Sequence, residues 1–253
     1  EAWVGETEYT AKMQSDNLKA IPESTMTFMD FAFQRRLFET SIENMAREIY
    51  SHFALDFVYK SPHNLLAFLD NHDVARWLVK HPSVEGLKQA IGLLLTIPRI
   101  PQIYYGTEIL MAGDGKGDTD GNMRQDYPWD ISLPAEQQDF KAYVCKLLKW
   151  RKGCKAITDG EMMHFVPLDG KVYVYFRYLR DNNGNVDDSN VVMIVVNFSE
   201  ENKEVDLCRF KEMLSVCELW HDVIDNKVML LNSMNSINIK ANGIIILESN
   251  KND

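Results

Sequence analysis

The residues best equipped for chemistry are carboxylates placed just beyond short apolar runs. Asp70 and Asp73 follow Leu65–Leu69 in the stretch Phe68-Leu69-Asp70-Asn71-His72-Asp73. Glu108 follows Ile103-Tyr104-Tyr105, Asp30 ends the run Met26-Thr27-Phe28-Met29, and Glu1 opens the chain beside Trp3. Paired carboxylates are the usual equipment for breaking glycosidic bonds, one giving and taking a proton while another bears on the sugar carbon. Rings and an imidazole near such acids suit a sugar, since rings cover its apolar face and polar groups bond its hydroxyls. A carbohydrate-active site is one expectation. The plainer one is that these acids are solvated loop residues and helix caps.

The elements that must position these residues change character along the chain. Through about residue 155 the pattern is strand then helix, repeated three times. Phe38, Ile42, Met45, Ile49 and Phe53 recur at helical spacing, and so do Leu87, Ile91, Leu94 and Leu95 before Pro98. A third helix is predicted from about Pro134 to Lys152, with Gly153 just past its end. The runs at 26–29, 65–69 and 103–105 read as short strands, and Leu65–Leu69 is apolar throughout, as a strand buried on both faces should be. Alternation of this kind makes a parallel α/β sheet or barrel, and in a barrel the acids above would fall on the C-terminal edge, where active sites are built. From residue 156 to 253 the runs become β-branched or aromatic: Val172–Arg180, Val191–Phe198, Cys217–Trp220 and Ile244–Leu247. Polar turns separate them, predicting an antiparallel β-sandwich.

Composition removes several classes. The 253 residues carry 27 Lys and Arg against 37 Asp and Glu, a net charge of −10 without a basic block, which disfavours nucleic acid and anionic membranes. The longest strictly apolar run, Val191–Val196, is far too short to span a membrane. Neither a Gly-x-Gly-x-x-Gly turn nor a Walker-type loop follows any strand, so no nucleotide cofactor is expected. Cys145, Cys154, Cys208 and Cys217 lack metal-ligand spacing and read as separate thiols. Asp114, Asp118 and Asp120 stand at even spacing, as calcium ligands do. They lack the Glu expected near the end of such a loop, so a hydrated acidic loop is favoured over calcium.

Here the residues meet a resemblance. Phe68-Leu69-Asp70-Asn71-His72-Asp73 resembles the F-x-D-N-H-D signature of the alpha-amylase superfamily, glycoside hydrolase family 13. Ile100-Pro101-Gln102-Ile103-Tyr104-Tyr105-Gly106-Thr107-Glu108 resembles that family's segment on its eighth barrel strand, with Ile at its first Gly, and Glu1-Ala2-Trp3 resembles the segment after its fifth. The motifs occur in the family's order, and the β part, including Val195-Val196-Asn197-Phe198-Ser199, resembles the sandwich that follows the barrel. The resemblance implies part of a (β/α)8 barrel over 1–155, from the end of strand five to helix eight, then the sandwich over 156–253. It also implies roles: Glu1 as general acid/base, Asp73 bonding the hydroxyls of the sugar at the cleavage point, His72 binding the same sugar and Trp3 lining the cleft.

The loop from Gly113 to Asp130 resembles that of neopullulanase and cyclomaltodextrinase relatives, and Arg124 within it is a candidate sugar contact. The implied partner is an α-glucan: starch, maltooligosaccharides, pullulan or cyclodextrins. The family's nucleophile, an Asp in a G-x-R-x-D-x-x-K-H segment, has no counterpart in these residues, and the D-x-x-x-x-N-H segment is also missing. The expectation is a C-terminal portion of a longer enzyme, inactive alone, whose open sheet edge calls for the absent half of the barrel. Two rivals share these residues: a carbohydrate-binding relative without turnover, and a transglycosylase using a sugar rather than water as acceptor.

Overall fold

The computed structural model describes residues 28–114, 120–215 and 217–249. Glu1, Trp3 and Asp118 therefore lie outside the described residues. The chain divides into two compact units, one of residues up to 41, 48–94 and 99–144, the other of 42–47, 95–98 and 145 onward. Among the described residues no helix is long and apolar enough to cross a membrane.

The first unit is organised by parallel pairing. The apolar run at 65–69 supplies strand β1 (Leu66–Phe68), and β2 (Ile100–Gln102) runs beside it with Leu66 opposite Ile100 and Phe68 opposite Gln102. On the other side of Leu66, Met29 forms a parallel bridge, so three segments point the same way. Parallel neighbours need a crossover between them, and helices provide it. Helices α1 (Phe31–Glu39) and α2 (Met45–Phe53) lie in sequence between Met29 and β1. Helices α3 (Trp77–Lys80) and α4 (Val84–Leu94) lie between β1 and β2. In α4 the side chains of Leu87, Ala90, Ile91 and Leu94 are buried, the stripe that a 3.6-residue period produces. Helix α5 (Ala135–Gly153) follows within a residue of its expected bounds, and the division between units falls inside it.

Two elements differ from expectation. The helical spacing from Phe38 to Phe53 runs through a break: α1 stops at Glu39, Thr40 is extended (φ −76°, ψ 139°), and a short 3-10 turn at Ile42–Asn44 precedes α2. Apolar periodicity survived across the break because both helices turn an apolar face inward, while Thr40 and Ser41 favour leaving the helix. The strand expected at Ile103–Tyr105 lies three residues earlier. Its Ile100 amide donates to the Leu65 carbonyl at 3.0 Å, and the chain turns after Tyr104, where Thr107 N–H closes on the Tyr104 carbonyl at 3.1 Å. Pro101 hid the strand, yet with Ile100 donating to the β1 side its missing N–H falls where no β1 bond is needed.

A buried ionic group fixes the start of this unit. Asp30 follows the Met29 bridge and caps α1, its Oδ1 accepting from Phe33 N–H at 3.0 Å. Its Oδ2 lies 3.2 Å from Arg99 Nε and 3.3 Å from His52 Nε2, and all three side chains are fully buried. Arg99 also binds Asp56, with Nη1 3.0 Å from Oδ2. Burial alone would raise the Asp30 carboxyl's pKa. The His52 charge and hydrogen bond, Arg99 and the Phe33 amide outweigh it and hold the carboxyl well below the usual range.

The second unit is the β part. Strands β3 (Glu161–His164), β4 (Val172–Arg180), β5 (Val186–Asn197), β7 (Leu219–Asp222), β8 (Lys227–Leu230) and β10 (Ile244–Ser249) form an antiparallel sheet in the order β3-β4-β5-β10-β7-β8. Strands β6 (Lys203–Asp206) and β9 (Ser236–Ile239) form a second, two-stranded sheet. Val174, Phe176, Met193, Val195 and Leu247 from the large sheet share one core with Val205, Ile237 and Ile239 from the small one, so the two sheets face each other as a sandwich. The alternate residues of β4 and β5 are buried too, which explains the unbroken apolar run Val191–Val196. Among them Arg177 is held by three carbonyls, those of Thr96 (2.8 Å), Gly160 (2.7 Å) and Glu161 (3.2 Å). Gly160 admits no side chain, because a Cβ there would lie 2.1 Å from the Ala156 carbonyl oxygen. All four cysteines are free thiols.

The buried Asp30 group yields a prediction. Asp30→Asn leaves Arg99 with Asp56 as its carboxylate partner among the described residues and should lower unfolding free energy by about 3–5 kcal/mol, read by urea denaturation at pH 7. Because the folded carboxyl ionises at lower pH than the unfolded one, its contribution is complete above the ordinary carboxylate range. It is lost as pH falls through that range and below. An unchanged urea midpoint in the variant would contradict this account.

Candidate active site

The parallel pairing sends the segments after β1 and β2 off the same edge. After β1 the chain makes a turn shaped by Asn71, whose Oδ1 accepts from Asp73 N–H (2.8 Å) and Val74 N–H (3.0 Å). Asn71 is itself fully buried, so the turn is anchored rather than loose. The turn presents His72 and Asp73 side by side, with His72 Nε2 3.1 Å from Asp73 Oδ2. Arg124 closes the group from the loop after β2. Its Nη2 donates to Asp73 Oδ1 at 3.0 Å and to Asp120 Oδ2 at 2.9 Å, and its Nε donates to the His72 carbonyl at 2.9 Å.

These three side chains are half-exposed, at 52% for His72, 31% for Asp73 and 44% for Arg124. That exposure leaves them reachable by a ligand. Each Asp73 oxygen has one partner here and one lone pair to spare, so the carboxylate can accept hydroxyl protons while Arg124 holds its orientation. Of the five residues singled out in the sequence, the structure brings together His72, Asp73 and Arg124. Glu1 and Trp3 lie outside the described residues.

Asp70 has a different occupation. It is 2% exposed, its Oδ2 accepts from the Trp77 amide at the start of α3 (3.0 Å), and its Oδ1 accepts from the Thr107 hydroxyl (2.9 Å). Burial pushes its pKa up against the pull of those hydrogen bonds and the nearby Arg76. It is a brace between the two turns, near the capping role that the plainer reading gave it.

Arg76 had no signal in the sequence beyond being a cation among Val74, Ala75 and Trp77. It is 1% exposed and ties three segments together. Its Nη1 donates to the Tyr105 carbonyl (2.6 Å), its Nε to the Met123 carbonyl (3.2 Å), and its backbone N–H to the Gly113 carbonyl (2.8 Å). The guanidinium also lies 4.0 Å from the centre of the Tyr104 ring, whose far neighbour at 6.4 Å is the His72 ring. Gly106 sits at the bend that follows, in a left-handed conformation (φ 84°) where a Cβ would strike the Met111 side chain. Glu108 lies in the short turn Thr107–Ile109 beyond it.

Asp114 accepts from the Asn122 amide at 2.7 Å and Asp120 pairs with Arg124, and among the described residues no group of three His, Cys, Asp or Glu side chains could hold a metal ion.

Known proteins point to one family. Residues 162–248 match the model of the cyclo-malto-dextrinase C-terminal domain. The chain is 29% identical over 237 residues to a maltogenic alpha-amylase of Bacillus acidopullulyticus, covering 93% of this chain and 37% of that protein. It is 38% identical over 104 residues to a cyclomaltodextrin glucanotransferase of Paenibacillus macerans, covering 40% of this chain and 14% of that one. In fold it resembles the alpha-amylase of Geobacillus thermoleovorans solved with acarbose, with a TM-score of 0.70 at 20% identity over 90% of this chain and 48% of the other. The chain thus spans well under half the length of the curated relatives. The sandwich match, the relatives and the fold agree: the chain is similar to the alpha-amylase superfamily, glycoside hydrolase family 13, over most of its length.

Proposed function

We propose that this chain supplies part of the active site of an enzyme that cleaves or transfers α-glucans by retaining double displacement. The observation that carries the reading is the half-exposed group of His72, Asp73 and Arg124 on an anchored turn at the edge where β1 and β2 both end. In this reading Met29, β1 and β2 belong to a (β/α)8 barrel, and that edge is the barrel's active face. Asp73 accepts hydrogen bonds from two hydroxyls of the glucose at the cleavage point, and these strengthen as the ring becomes oxocarbenium-like. His72 donates to the same ring. Arg124 holds the Asp73 carboxylate in orientation and, being half-exposed, can itself contact the sugar.

Glu1 is the general acid/base in this reading: it protonates the departing glycosidic oxygen, then takes the proton from the incoming water or sugar. Trp3 covers the apolar face of a bound glucose. A retaining mechanism needs a second carboxyl about 5–5.5 Å from the first as nucleophile. No G-x-R-x-D-x-x-K-H segment occurs in the 253 residues, so the nucleophile comes from chain beyond them and these residues alone bind without turnover. The substrate class is α-glucans (starch, maltooligosaccharides, pullulan or cyclodextrins), which the cyclo-malto-dextrinase-type sandwich and the glucanotransferase and amylase relatives support.

Three outcomes test this. In the whole protein Glu1→Gln should lower kcat on maltoheptaose by about 10²–10⁴-fold with little change in KM; a variant as fast as wild type would sink the role. Asp73→Asn should lose kcat as well, with its melting temperature within a few degrees of wild type. Arg76→Lys keeps the charge but loses the fork, leaving carbonyls of Tyr105 and Met123 unpaired. It should cost about 1–3 kcal/mol in urea unfolding, and an unchanged midpoint would show that the loops are held otherwise.

A further inference from the structure

The loop that carries Arg124 continues into a feature the reaction does not use. Trp129 is 82% exposed, and Ile131 beyond it is 69% exposed. The indole is not left to swing. Tyr127 backs it, with ring centres 4.4 Å apart and planes inclined at 42°, and the Trp129 backbone N–H donates to the Tyr127 carbonyl at 2.8 Å. Tyr127 is pinned in turn by Lys141 of α5, whose ammonium lies 3.0 Å from its hydroxyl and 5.6 Å from its ring centre. Pro128 between the two aromatics removes one backbone freedom more.

We propose that Tyr127 and Trp129 form a second carbohydrate platform, on which the outer face of the Trp129 indole seats a glucose ring of an α-glucan. A large ring held open to solvent and braced from behind has met its ordering cost before any ligand arrives, as binding surfaces do. The surroundings choose the ligand. Gln125, Asp126 and Asp130, its near neighbours in sequence, are exposed. An apolar protein segment laid across the indole would strip water from two carboxylates with nothing in return. A sugar sets its C–H face on the ring and offers hydroxyls to those carboxylates. An anionic ligand is repelled by them and by a net charge of −10.

The platform is also continuous with the candidate active site. The Tyr105 hydroxyl donates to the Gln125 carbonyl at 2.7 Å, and Arg124 one residue earlier holds Asp73, so the start of this short stretch is fixed to the candidate site. The inference rests on the proposed α-glucan reading for the identity of the sugar. It adds a contact remote from the cleaved bond, which would retain long or polymeric substrates.

The test is electrophoretic retardation of this chain in gels containing soluble starch, with maltoheptaose titration calorimetry beside it. Trp129→Ala should weaken starch retention by about tenfold, Tyr127→Ala should do so in part, and Trp129→Phe should keep most of it. Trp129 is exposed, so melting temperatures should stay at the wild-type value. Retention unchanged in Trp129→Ala overturns the platform, and if His72→Ala then abolishes binding the active-site reading stands without it. The absence of starch retention in the wild-type chain also overturns the platform, while turnover by the whole protein judges the active site separately. Self-association abolished by Trp129→Ala, with sugar binding intact, would make this face a protein interface and overturn the proposal.

Discussion

Parallel pairing of β1 with β2, extended by Met29, is the constraint on which the candidate site depends. Strands that run the same way end on the same edge, so residues separated by some thirty positions in sequence emerge side by side. Hydrogen bonds then convert that proximity into geometry. Asn71 shapes the first turn, Thr107 reaches from the second to Asp70, and Arg76 gathers the carbonyls of Tyr105 and Met123. Only on such a frame can Arg124 find Asp73 and the His72 carbonyl together.

Two buried arginines do similar work with different chemistry. Arg99 sits among carboxylates, and the Asp30 carboxylate in turn caps α1 and meets His52. Arg76 sits among backbone carbonyls and rings, with no carboxylate as close partner in its hydrogen bonds. The first arrangement is sensitive to acid, because it depends on an ionised carboxyl whose pKa is depressed. The second depends on the fork shape of guanidinium, which neither pH nor a lysine reproduces. The turns of the candidate site thus rest on the less pH-sensitive of the two.

Much of this was legible in the residues. The unbroken apolar run Leu65–Leu69 marked a strand buried on both faces, Val191–Phe198 marked a strand of the β part, and Pro134 with Gly153 marked the ends of α5. The F-x-D-N-H-D stretch marked the turn. Other features were hidden for physical reasons. The strand at Ile100–Gln102 contains a proline that only the pairing register makes acceptable, and Tyr104-Tyr105 beside it imitated a strand by composition. The short strands β3, β6, β8 and β9 carry polar residues at alternate or outer positions and lack a long apolar run. Arg76 was invisible because its partners are carbonyls, which every sequence has everywhere.

The account's central claim is that His72 and Asp73 grip one glucose ring at the point of cleavage. The most direct measurement is a crystal structure of the whole protein carrying Glu1→Gln, to slow turnover, with maltoheptaose bound. The account predicts one glucose whose adjacent hydroxyls lie within hydrogen-bond distance of His72 Nε2 and the Asp73 carboxylate, with Arg124 still on Asp73 Oδ1. A sugar chain that occupies the cleft without touching His72 or Asp73 would contradict it.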